Sequence, residues 1–389
     1  MKEVYKGGLE NQGFQEGADH LGVEGRIVAV RKHKRTMFCD VYNGLTRTQI
    51  VFEDLNDNEP PNIKAGDFVQ CVGNFRATNS GQKSLFVEEF RLLFRPENYE
   101  REDFGLRELL VSRAKAKEII RSSFLQYGLT EVDSRVMSPY AGTANIVPFS
   151  TRSARGDDFY LRFTMELELK KYLCRTQLPV FEIGKLFRNL GTSNRRETEF
   201  TAVEAYIPYM NLEEGVDLVS DILQKTGQQF FVNFSSIQQR EILELLGFRI
   251  AEGTDFLGLE QRERYNKEVK KMREPTFLLH QPADWASPFT KTNPDGTACD
   301  AKFVYAGAGT IVHLNEESED YRRVLSRLLS QFETVKRERP EAQLDIGFLE
   351  ELKKGLPPCL GIFISFDRLM MTLLGKRSIK EVMPEKIVL

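Results

Sequence analysis

Five short runs that alternate apolar and polar residues fall between residues 21 and 98, and spacing that tight leaves little besides a small closed sheet. Val23–Val30 alternates as a strand, and Met37–Tyr42 follows a basic run. Asn43-Gly44 is a hairpin signal, with Thr48–Phe52 as the returning strand. Phe68–Val72 and Ser84–Phe90 are two more strands, separated by the turn Asn79-Ser80-Gly81. So many short strands in so few residues point to a barrel rather than a sandwich.

The commonest barrel of this size is the OB-fold. Beyond it the texture changes. Arg95–Asp103 (RPENYERED) is polar and contains a proline, which places a barrel domain at 1–98, a linker at 99–103 and a second domain at 104–389. A long helix starts at Phe104, with Leu110, Ala114, Ala116, Ile120 and Phe124 as its apolar positions. Extended runs follow at Phe159–Phe163 and Val180–Gly184. Near the end, Val324, Leu325, Leu328, Leu329, Phe332 and Val335 form one helical stripe. Strands first, then strands mixed with helices, predict an all-β barrel followed by an α+β domain.

Composition excludes several classes. With 389 residues, 41% hydrophobic and 29% charged, the chain can bury a sizeable core. No apolar run has the length of a signal peptide or of a bilayer span. The five cysteines are scattered without a CxxC pair, so neither a disulfide framework nor a zinc knuckle is expected, and a reducing cytoplasm is. Four histidines and no HExxH give no dedicated metal site. A net charge of −3 exerts no global pull on nucleic acid, but Arg31-Lys32-His33-Lys34-Arg35 is a local basic patch. Taken alone, that patch reads equally well as a solvated hairpin edge.

Four segments then occur in a telling order. Gly128–Tyr140 reads GLTEVDSRVMSPY, Phe181–Tyr206 reads FEIGKLFRNLGTSNRRETEFTAVEAY, Glu274–Phe289 reads EPTFLLHQPADWASPF, and Gly355–Gly375 reads GLPPCLGIFISFDRLMMTLLG. The first, second and fourth resemble motifs 1, 2 and 3 of class II aminoacyl-tRNA synthetases. The subgroup is the one that activates lysine, aspartate and asparagine, and the Gly-Leu-Pro-Pro opening is most similar to the lysyl enzymes. The third resembles the strand and loop before their amino-acid site. This resemblance implies a catalytic domain built on an antiparallel sheet, and a homodimer through motif 1.

It also implies roles for particular residues. Amino-acid activation is attack by a carboxylate on the α-phosphate of ATP, and the protein must neutralise the charge that builds there. Arg188 matches the motif 2 arginine that does this. Arg368 matches the motif 3 arginine over the adenine and γ-phosphate, Arg195 a loop arginine on the phosphates, and Phe200 the aromatic stacked on the base. Glu166, in YLRFTMEL, matches the carboxylate for the substrate α-ammonium. Glu204 and Tyr206 match the pocket floor, and Glu316 the partner of a lysine ε-ammonium, since a buried cation needs a counter-charge. In the barrel, Arg31, Phe38 and Gln49 match residues that read the central anticodon base of tRNA, where an aromatic stacks and polar groups read the edge. Alone, Phe38 would read as barrel core.

Several positions depart from the pattern. Lys302 and Gly309 stand where two metal-binding carboxylates are expected; a shifted register gives Asp300 and Thr310 instead. Either way a carboxylate is missing, so Mg2+ is doubtful while ATP is expected. Phe363 and Ser365 replace motif 3 glycines, Leu190 an adenine-contacting glutamate, Arg135 the motif 1 proline, and Val312 a pocket asparagine. The expected function is ATP-dependent activation of lysine or a similar cationic amino acid and its transfer to tRNA. The alternatives are a catalytically impaired paralogue that binds tRNA or regulates, and a ligase acting on a non-tRNA acceptor.

Overall fold

In the barrel the period-2 pattern sends Ile27, Met37, Cys39, Val41, Ile50, Val69, Cys71 and Leu85 inward, where each is essentially fully buried. The strands are β1 (Leu21–His33), β2 (Thr36–Tyr42), β3 (Arg47–Phe52), β4 (Phe68–Ala77) and β5 (Lys83–Phe94). They close in the order β1-β2-β3-β5-β4. The Asn43-Gly44 turn forms as expected: the Asn43 carboxamide accepts from the Leu45 and Thr46 amides at 3.0 and 2.8 Å, and Gly44 takes φ +90°. β4 and β5 run past their sequence estimates to Ala77 and Phe94, because charged residues on the outer face do not interrupt a ladder.

The computed structural model describes residues 21–54, 62–98, 104–142, 146–247, 259–340 and 342–384. It forms two compact units, Met1–Gly105 and Leu106–Leu389. The expected linker, 99–103, lies outside the described residues.

The second unit carries an eight-stranded sheet in the order β12-β13-β14-β15-β16-β11-β10-β6. Its strands are β6 (Thr130–Glu131), β10 (Val180–Phe187), β11 (Glu199–Pro208), β12 (Gln238–Glu241), β13 (Thr276–Leu279), β14 (Asp300–Val304), β15 (Thr310–Glu316) and β16 (Cys359–Ser365). The six central strands are antiparallel, and one parallel strand is added at each edge, so the sheet is mixed at its margins. A small separate sheet joins β7 (Met137–Ser138), β8 (Ser150–Arg152) and β9 (Asp158–Leu161).

Helices cover both faces. On one face α1 (Phe104–Gln126) and α3 (Leu212–Phe230) pack Ile120, Phe124, Val219 and Ile222 against Phe181, Val203, Ala205, Val312 and Leu314. On the other, α2 (Glu166–Thr176), α6 (Tyr321–Glu338) and α7 (Ile346–Lys353) bury Leu169, Leu173, Val324, Leu328 and Phe348 with Ala202 and Tyr206. α4 (Ile242–Leu246) and α5 (Leu259–Lys271) cover the β13–β14 end, and α8 (Phe366–Leu373) follows β16.

Two expected stripes need correcting. Leu110 is 49% exposed and Ala114 is exposed too, since at 100° per residue neither shares the face of Ala116, Ile120 and Phe124. The buried residue on that turn is Arg113, whose guanidinium donates to Asp367 at 2.6 Å and to the Val382 carbonyl at 2.7 Å. Leu329 of α6 likewise faces outward.

Candidate active site

The motif 2 segment is a hairpin of β10 and β11, from the pair Phe187 and Glu199 down to Val180 and Tyr206, joined by the loop 188–198. Pairing with β16 sets Glu204 beside Phe363 and Tyr206 beside Gly361; β15 sets His313 beside Phe363 and Asn315 beside Gly361. Alternation then directs Phe200, Glu204, Tyr206, His313, Asn315 and Phe363 to one face, while Val203, Ala205, Val312 and Leu314 enter the core on the other.

At one end of this face a cavity of about 80 Å³ is lined by Arg188, Arg195, Phe200, Phe363 and Arg368. The Arg188 guanidinium lies 5.1 Å from the Phe200 ring centroid and 5.8 Å from that of Phe363, and its Nε donates to the Phe163 carbonyl at 3.2 Å. Arg368 donates to the Arg195 carbonyl at 3.2 Å and to the Thr310 carbonyl at 2.9 Å, which fixes the motif 2 loop above motif 3. The Ile379 amide adds a bond to the Asn194 carbonyl at 2.8 Å. Burial, then the neighbouring Arg188, Arg195 and Arg196, hold the Arg368 pKa down to about 10. Cations crowded this way attract a polyanion, which relieves their mutual repulsion. The cavity is well below the roughly 300 Å³ of ordinary ligand sites. Phe363 narrows it where a glycine would leave room.

Further along the same face are the carboxylates. Glu204 is buried and accepts from the Thr164 hydroxyl at 3.0 Å and the Met165 amide at 3.1 Å. Burial, followed by the charge of Glu166, pushes its pKa up to about 7. Glu166, at the start of α2, is partly exposed and accepts from Lys170 Nζ at 2.7 Å. Tyr206 lies under this group, and its pKa is raised well above 10 by burial and then by Glu166 and Glu317.

Glu316 is not part of this cluster. It shares the phase of Val312 and Leu314, so its carboxylate accepts from the Leu212 amide at 2.9 Å and pairs with Lys291 at 3.0 Å. Glu317 enters the cluster instead: it is 2% exposed, pairs with Lys170 Nζ at 2.8 Å and accepts from Asn315 Nδ2 at 2.7 Å. The β14–β15 ladder shifts its register between Phe303 and Val304. The alternation of buried Val312 and Leu314 was the signal that would have identified Glu317.

The positions expected to hold metal carboxylates do not suit a divalent cation. Asp300 is buried, but its oxygens are taken by the Gln281 amide at 2.9 Å and by His313 Nε2 at 3.0 Å. The Lys302 ammonium bonds Gln281 on the same face, and its pKa is lowered by burial. Gly309, at φ +82°, sits in the turn before Thr310. Among the described residues no three His, Cys, Asp or Glu side chains converge as metal ligands.

Residues 88–384 match the model of the class II tRNA synthetases of the D, K and N group, and residues 22–93 match that of the OB-fold nucleic-acid-binding domain. The chain belongs to the class II aminoacyl-tRNA synthetases. It is similar to a lysine–tRNA ligase of a Thermotoga species, 26% identical over 441 residues that cover 95% of this chain and 86% of that protein. It is also similar to the lysine–tRNA ligase of Mesomycoplasma hyopneumoniae, 29% identical over 431 residues, 95% of this chain and 87% of the relative. A third relative is the lysine–tRNA ligase of Moorella thermoacetica, 28% identical over 433 residues, with 93% and 87% covered.

As in other synthetases of this group, the barrel has its own set of expected residues. Arg31 of β1 pairs in register with Phe38 of β2, and Gln49 of β3 with Asp40. All have the phase opposite to the inward Met37, Cys39 and Val41, so Phe38 is a half-buried surface ring rather than barrel core. Arg31 donates to Asp40 at 3.0 Å, and Arg47 reaches the other Asp40 oxygen at 2.7 Å. Gln49 Oε1 accepts from the Ser84 hydroxyl at 2.8 Å. The basic residues Lys32–Arg35 form the closed, turn end of the β1–β2 hairpin and are exposed.

Proposed function

We propose that this synthetase-family chain binds ATP and an α-amino acid side by side on the β10–β11–β16 face, and activates the amino acid for transfer to tRNA held by the barrel. The observation that carries this reading is the convergence of Arg188, Arg195 and Arg368 with Phe200 on one cavity next to Glu166 and Glu204. The arginines neutralise the phosphates and the developing charge at the α-phosphate. Glu166 and Glu204 hold the substrate ammonium, and Phe200 stacks on the base. Because the acidic positions are occupied by Lys302 and by an Asp300 already hydrogen-bonded, arginine charge takes over what a metal pair supplies elsewhere. ATP binding is therefore expected to persist in EDTA. Calorimetry of ATP with and without magnesium, alongside pyrophosphate exchange with each amino acid, tests this; no ATP binding under either condition would overturn it.

One observation favours a second reading, in which adenylation is lost and tRNA binding remains: Phe363 closes on Arg188 in the small cavity. Undetectable exchange together with tight tRNA binding would establish it. In both readings Phe38 stacks on an unpaired anticodon base while Arg31 and Gln49 read its edge. Exposed Val111, Tyr127, Val136 and Met137 near motif 1 support a homodimer there, and Arg135 is exposed beside them. Buried free thiols at Cys39 and Cys71 support a cytoplasmic setting. No helix among the described residues is long and apolar enough to cross a membrane.

A further inference from the structure

On the outer face of the barrel, one cross-strand row is apolar where water should favour polar residues. Register places Arg31 of β1 beside Phe38 of β2, Phe38 beside Val51 of β3, and Val51 beside Phe86 of β5. Their neighbours along the strands, Cys39, Ile50 and Leu85, fill the core, so Phe38, Val51 and Phe86 all point outward. Yet Phe86 is only 8% exposed and Val51 only 1%. Arg76 of β4 supplies the cover over Phe86: its guanidinium carbon lies 4.0 Å from the ring centroid. One edge of the guanidinium reaches Glu53 at 3.2 Å, and the Arg76 side chain remains 59% exposed. Among the described residues Glu53 is its only ion-pair partner, and an exposed pair of this kind is weak. The guanidinium is therefore a charged plane with an aromatic ring behind it and solvent in front.

We propose that Arg76, backed by Phe86, is a second base-stacking platform of the barrel, and that it takes the anticodon nucleotide next to the one on Phe38. This deepens the reading of the barrel as the tRNA-binding unit and rests on it. Unpaired RNA bases stack on guanidinium planes as well as on aromatic rings, and an aromatic face attracts and holds the cation above it. Phe38 and Phe86 stand two strands apart, roughly 10 Å at the usual strand spacing, a span that consecutive splayed nucleotides can bridge. Between them lies Val51, which has no polar group to compete for a base edge. One row along, Gln49 accepts from the Ser84 hydroxyl, and Ser84 pairs in register with Arg76. The edge-reading and stacking side chains thus belong to one continuous patch. Its charge fits as well, because Arg31 and Arg76 stand at its two sides and an RNA backbone crossing it meets a cation at each.

The test measures fluorescence anisotropy of labelled RNA on the full chain, as wild type, Arg76→Lys and Phe38→Ala. The probes are a lysine-type anticodon stem-loop and three copies of it, each with an abasic site at one anticodon position. Arg76→Lys keeps the charge but has no plane on which a base can stack. It is expected to bind the intact loop roughly five- to thirtyfold more weakly than wild type, at an unchanged melting temperature. On the loop that is abasic at one position flanking the centre, wild type and Arg76→Lys should bind equally, because the base that uses the platform is gone. Phe38→Ala should lose its effect on the loop abasic at the central position instead. Arg76→Lys with wild-type affinity for the intact loop overturns the proposal, since charge alone would then matter, and so does a loss that persists on all three abasic loops. If wild type binds no stem-loop at all, the reading of the barrel as the tRNA-binding unit fails and the platform with it. Phe38-dependent binding that ignores Arg76→Lys removes the platform alone.

Discussion

Replacing Arg113 with methionine removes the guanidinium that pairs with Asp367, at the junction of motifs 2 and 3. Asp367 has no exposure; it accepts from Arg113 at 2.6 Å and from the Thr201 amide at 2.6 Å, next to Phe200. Breaking a buried pair by removing one partner typically costs about 3–5 kcal/mol. The Thr201 amide still bonds the carboxylate, so the lower end, about 3 kcal/mol, is expected for Arg113→Met. The sole tryptophan, Trp285, lies in the catalytic unit, so urea unfolding followed by its fluorescence reports on that unit alone. Asp367→Asn should cost a similar amount, because it strands a guanidinium that keeps only the Val382 carbonyl and the Thr201 hydroxyl. The double variant should be much less unstable than the sum, with a coupling energy of about 2 kcal/mol. Additive losses, or a loss below about 1 kcal/mol for Arg113→Met, would refute the account of this pair as the clamp between the two motifs.

Three further outcomes are expected. The raised pKa of Glu204 means that its stabilising contribution is complete below about 4.5 and is lost as pH rises through about 7. The catalytic unit should therefore lose up to about 3 kcal/mol between pH 5 and 8, and Glu204→Gln should flatten that slope in pH-dependent urea melts. Phe38→Ala should weaken binding of a lysine-type anticodon stem-loop by roughly 1–3 kcal/mol, whereas Lys34→Ala should weaken all stem-loops alike and lower the salt dependence, as fluorescence anisotropy at several ionic strengths can show. Gly361→Ala would place a Cβ 2.8 Å from Glu317 Oε1 and 2.9 Å from Tyr206 Cε1, and should cost about 1–3 kcal/mol by thermal melting.

What could be read in the sequence, and what could not, divides along one physical line. The barrel was legible because alternation is local: Met37, Cys39 and Val41 are apolar while Asp40 between them is charged, so the same pattern that builds β2 also turns Phe38 outward. The motif 2 hairpin was legible through its resemblance, and it forms as one uninterrupted pair of strands. Phase was lost where the chain makes a turn containing two positive-φ glycines, Gly307 and Gly309, next to an irregular pair at Phe303 and Val304. In a strand a shift of one residue is a change of face. Glu316, matched to the pocket by resemblance, lies in the phase of the buried Val312 and Leu314, while Glu317 is the residue beside Lys170. Lys170 was hidden by a different cause. In sequence it stands four residues after Glu166, the spacing of an ordinary helix-surface ion pair worth a few tenths of a kcal/mol. Only the packing of α2 on the sheet brings Glu317, 147 residues later, to the same ammonium and takes Lys170 and Glu317 out of water. Desolvation decides which partners a buried charge must have, and desolvation is a property of the fold rather than of any local stretch of sequence.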